Sequence, residues 1–125
     1  MTTKTAIVVL ADPSNGEEAA GRLFNALAAA YDFDQAGVDV QVVFQGAGTR
    51  WPALLVDPAH PLHDVYELAS HTIAGASRAC AVVFGATAGV EAAGLPQLDG
   101  NAVPGTTGLT SLRALAAGGY RIITF

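Results

Sequence analysis

Four short runs of aliphatic, mostly β-branched residues, separated by stretches of helical spacing, constrain this chain more than any other feature. The first, TAIVVL at 5–10, is bounded by Ala-Asp-Pro and has no polar alternation, as expected of a strand buried on both faces. Behind it Ala20, Leu23, Phe24, Leu27 and Tyr31 recur on one helical face, which predicts an amphipathic helix over about 15–31. Ser14 and Glu17 have the spacing of a capping box for its start. In the second run, Val38 to Phe44, Val38, Val40 and Val42 alternate with Asp39 and Gln41, so one face is expected to be less buried. Leu62, Val65, Tyr66, Ala69 and Ile73 mark a helix over about 61–71. Near the end, Leu109, Leu112, Leu115 and Ala116 mark another, closed by Gly118-Gly119 before a last strand, YRIITF at 120–125.

The region 72–94 admits two readings. Periodicity places a strand on ACAVVF at 79–84; the alternative is a strand at about 72–78, with Cys80 just past its end and opening a short helix. A weaker helical pattern follows near 87–93, stopped before Pro96. Either way strands and helices alternate. That pattern predicts a three-layer α/β/α fold with a mostly parallel sheet, in one domain of 125 residues. Ligands of such sheets bind at the carboxyl ends of the strands, which directs attention to the loops at 11–16, 45–51 and 76–81.

Composition narrows the partners. A net charge of −5 without any basic run argues against nucleic acid and anionic membranes. Residues 1–10 lack the basic start and long apolar stretch of a secretory leader, and no apolar run is long enough to span a bilayer. One cysteine allows no internal disulfide, in keeping with a reducing cytoplasm. Hydrophobic residues make up 51% of the chain and charged ones only 14%, so the surface is short of charge, as where further subunits cover it.

Few residues have the pattern of a reactive centre. Gly46-Ala-Gly48 is a lone G-x-G without a Walker lysine or a third glycine, so it does not specify a nucleotide or other cofactor. His60, His63 and His71 lack the spacing of a metal site and suit surface or capping roles, though His71 approaches the cysteine in sequence. No G-x-S-x-G elbow surrounds any serine. Arg50 and Trp51 are residue types enriched at binding surfaces. Cys80 lies where the fold class puts active sites. Opening a helix beside Arg78, it is a nucleophile with a lowered pKa; inside a strand, it is a small inert hydrophobe.

The order of AIVVLAD…EEAAGRLFNAL, VDVQVVFQGAG, Cys80-Ala-Val-Val-Phe-Gly85 and the closing GGYRIITF resembles the DsrE/DsrF-like (YchN-like) family over nearly the whole chain. The resemblance implies a fifth short strand near 98–103 and favours the strand end at Cys80. It also implies a homo-oligomer, a trimer or hexamer, and a sulfur-relay role in which Cys80 accepts a persulfide and passes it to a partner protein. Arg50, Trp51, His71, Ser77 and Arg78 would line the surrounding pocket. Some relatives carry C-x-x-C; here the earlier position is Ser77, so no resolving thiol is present. The competing expectation is a non-catalytic oligomeric module that binds a small ligand or partner segment and packs Cys80 inertly.

Overall fold

The strand–helix alternation becomes a five-stranded parallel sheet with helices on both faces. The computed structural model describes residues 4–125; residues 1–3, part of the stretch read for a leader, lie outside the described residues. Strands β1 (Lys4–Val9), β2 (Asp39–Phe44), β3 (Ile73–Ser77), β4 (Gln97–Leu98) and β5 (Tyr120–Thr124) stand in the order β4-β3-β2-β1-β5, each neighbouring pair parallel. β1 lies between β2 and β5 and is buried from Thr5 to Val9, which is why its apolar run shows no alternation. The chain steps from β1 out to β4 and then returns to lay β5 on the far side of β1. Right-handed crossovers in opposite directions place their helices on opposite faces, which makes the three layers.

Helices α1 (Gly16–Gln35) and α3 (His63–Ala69) cover the first face. There Leu23, Ala26, Leu27 and Ala30 of α1 pack on Ile7, Val9, Val42 and Phe44, and the alanines let the helix lie close to the sheet. Between β2 and β4 run three shorter helices: α2 (Trp51–Leu55), α4 (Arg78–Val83) and α5 (Thr87–Ala92). By register the opposite face carries Ala6, Val8, Gln41 and Val43. Over it lie parts of the 99–111 segment and α6 (Leu112–Ala117), none of whose six residues is buried. The Gly118-Gly119 stop holds: Gly118 caps α6 and Gly119 turns at φ +89°. No helix among the described residues is long and apolar enough to cross a membrane.

Three local expectations need correction. The capping box does not form. Pro13 starts a 3-10 turn, Pro13–Asn15, and the Asp12 carboxylate accepts the Ser14 N–H at 3.0 Å. The strand is not at 79–84, where periodicity placed it, but at the alternative position: it is β3, made of the small residues IAGAS, and ACAVV falls in α4, which puts Cys80 just past the strand end. Valine propensity loses there to close approach. Gly75 lets β3 lie against Pro96, whose carbonyl accepts the Ala76 N–H at 3.0 Å and would be 2.3 Å from a Cβ at Gly75. The fifth strand is only two residues long; beyond it the chain folds back through an antiparallel bridge between Asn101 and Leu109.

Candidate functional site at the carboxyl edge of the sheet

Each central strand ends in a loop that contributes to one edge. After β1 comes Asp12; after β2 a 3-10 turn, Gly46–Arg50, leads into α2; after β3 the chain enters α4 directly. Arg50 ties the three together. Its Nε donates to the Phe84 carbonyl at 3.0 Å, its guanidinium carbon lies 5.3 Å from the centre of the Phe84 ring, and an Nη1 reaches Asp12 Oδ2 at 3.4 Å. Trp51 is buried, and its indole N–H donates to the Ala11 carbonyl at 2.7 Å. It therefore seals the β1 and β2 loops together and offers no open binding surface.

The β3–α4 junction is fixed by the 108–110 segment. The Ala79 N–H donates to the Gly108 carbonyl at 2.8 Å, and the Thr110 N–H donates to Ser77 Oγ at 3.2 Å. Ser77 is fully buried, so it acts as a strut between two backbone segments. Cys80 lies in the first turn of α4 and is 9% exposed, while Val83, on the outer side of the same helix, is 76% exposed. Arg78 turns its guanidinium to Asp99, with Nη1 at 3.2 Å from Oδ2, rather than leaving it free for the thiol.

Arg50, Trp51, Ser77, Arg78 and Cys80 thus share the carboxyl edge, but His71 does not. It lies in the Ser70–Thr72 turn ahead of β3, at the amino end of the sheet, and its Nε2 is 2.8 Å from Asp34 Oδ2 on α1. Sequence proximity to Cys80 misleads because a whole strand separates them. The other histidines serve the backbone: His60 Nδ1 accepts the Leu62 N–H at 3.0 Å and His63 Nδ1 lies 2.7 Å from the Leu55 carbonyl oxygen.

Asp12, Asp99 and Thr110 belong to this edge and were not singled out from the sequence; only Asp12, in an Asp-Pro step closing a strand, carried a usable signal. Asp12 also borders a cleft of about 580 Å³ between the ends of β1 and β5, where the crossover direction reverses, with Asn15, Arg22 and Phe125 on its walls. The pKa of Asp12 is lowered, first by the Ser14 N–H, then by the Ser14 hydroxyl and, after an opposing effect of burial, by Arg50. Its contribution to stability is present above the ordinary carboxylate value of about 4 and is lost as pH falls through the lowered one. Melting temperatures should therefore differ between the wild type and Asp12→Asn at pH of about 6, and converge at the acid end of the titration.

No family model matches the chain, and no curated protein matches it. Among solved structures it is similar to the conserved protein of unknown function BT1422 from Bacteroides thetaiotaomicron, with a TM-score of 0.59 and 14% identity, covering 96% of this chain and 94% of that one. At that identity the similarity shows the shared α/β fold.

Proposed function

We propose that this chain is a single-cysteine sulfur carrier of the kind the DsrE/DsrF-like resemblance implies, with Cys80 as the carrying residue. The observation that supports this most is positional: Cys80 stands just past the carboxyl end of β3, on the edge where parallel sheets hold their ligands. In the reaction the Cys80 thiolate attacks the outer sulfur of a donor persulfide. The donor's S–S bond breaks, the donor leaves as a thiolate, and Cys80 keeps the sulfur as its own persulfide. A partner thiolate then attacks that outer sulfur and returns Cys80 to the thiolate. No electrons are gained or lost overall, so one cysteine is sufficient. Exposed apolar residues, among them Leu10, Leu54, Val56, Val82 and Val83, support a homo-oligomer or a protein partner at this end of the molecule.

The 9% exposure of Cys80 favours a second reading, a non-catalytic binding module with a packed thiol. Alkylation of the folded protein by iodoacetamide across pH separates the two. A carrier should be modified under native conditions with a rate that follows one thiol titration. An inert cysteine should be modified only once denaturant unfolds the chain, and that outcome ends the carrier reading.

A further inference from the structure

We infer that the gap between the sheet and α6 is a binding site for a compact, uncharged, ring-sized organic molecule. The cause of the gap is architectural. The second helical layer is a single six-residue helix and a loop, and between it and the sheet lies a cavity of about 370 Å³. That volume falls in the range of small-molecule sites. Val43, Ala74, Leu98 and Leu115 give it apolar walls, and Gln41, Thr110 and Tyr120 bring polar groups to them.

The charges at its rim are already matched. Asp99 is paired with Arg78, and Asp39, behind the rim, accepts the Tyr120 hydroxyl at 3.0 Å. Tyr120 in turn accepts from Gln41 Nε2 at 3.0 Å. Burial first, then Asp39, raise the Tyr120 pKa, so its phenol is neutral at physiological pH. No lysine or arginine lines the cavity to receive an anion, and its one lining carboxylate, Asp99, is already engaged by Arg78, so a charged ligand would lose its hydration without gaining a free counter-ion.

Thr110 supplies an independent pointer. It is 6% exposed and stands in the wall that this cavity shares with a neighbouring cleft bounded by Gln45 and Asn101, yet its hydroxyl has no hydrogen-bond partner. The buried hydroxyls of Thr49 and Thr72 donate to the carbonyls of Gly46 and Ala69, as buried groups normally do. Thr5 Oγ1, Gln45 Oε1 and Arg78 Nε are also buried without a partner, but none of these three residues lines this cavity. A ligand amide or hydroxyl would complete Thr110.

The test is an NMR titration of the ¹⁵N-labelled full chain with benzamide, benzoate and benzamidine. Benzamide should give saturable shifts at Gln41, Thr110 and Leu115, with the two charged probes at least about tenfold weaker. Ala114→Phe, which fills the gap from the exposed helix, should abolish the shifts. Thr110→Val, which keeps the shape and removes the hydroxyl, should weaken benzamide by about tenfold. Cys80→Ser should bind benzamide as the wild type does, since the site does not depend on the carrier role. Absence of saturable shifts, equal response to the three probes, or unchanged binding in both cavity variants would overturn the inference. So would probe-free self-association that broadens these same resonances, because the gap would then be a subunit interface.

Discussion

Gly48→Ala is expected to lower the unfolding free energy by about 3 kcal/mol, toward the upper end for steric overpacking. A Cβ at residue 48 would lie 2.1 Å from the Val9 carbonyl oxygen and 2.9 Å from its carbon. Those are backbone atoms at the end of a central strand and have no rotamer with which to yield. Relief requires the 46–50 turn to lift away from β1, and that weakens the Gln45 N–H bond to the same Val9 oxygen, 3.0 Å in the native fold. The turn also carries Arg50 and leads into Trp51, so the lift loosens the ties to Asp12, Phe84 and Ala11 together. Urea denaturation should show the midpoint falling with an unchanged slope. Retention of wild-type stability would mean that the turn does not lie against β1 as described.

Trp51→Ala should cost about 3–5 kcal/mol, the range for deleting a buried large aromatic side chain. The ring is 2% exposed, sits in the main core cluster and meets His60 edge-on with ring centres 6.5 Å apart. Trp51→Phe separates the two contributions. It keeps most of the apolar contact but leaves the Ala11 carbonyl without its 2.7 Å donor, a loss of about 1–3 kcal/mol if that carbonyl stays dry. Were Trp51 a ligand-contacting residue instead of a seal, the phenylalanine variant would fold with wild-type stability.

The layers of the fold were legible because burial on two faces leaves a distinct pattern: TAIVVL had no alternation, and β1 proved an interior strand, flanked by β2 and β5. The helix from Leu23 to Ala30 was legible for the complementary reason, an apolar stripe with a polar back. β3 was ambiguous since IAGAS owes its place to smallness and close packing against Pro96, while the stronger valine signal at 82–83 belongs to an exposed helix. At the site, the carboxyl-edge position of Arg50 followed from topology, while that of Ser77, Arg78 and Cys80 depended on which reading of 72–94 held. The partners did not follow from topology. That Arg78 faces Asp99, that Trp51 is a seal and that Thr110 rests on Ser77 are contacts between segments distant in sequence, which spacing does not encode.

The carrier role of Cys80 is tested most directly by intact-protein mass spectrometry after incubation with a low-molecular-weight persulfide. The native chain is expected to gain one sulfur atom, lose it on addition of a thiol acceptor, and show no gain as Cys80→Ser. A native chain that gains no sulfur, or a Cys80→Ser variant that gains as much as the wild type, would contradict the role assigned to this residue.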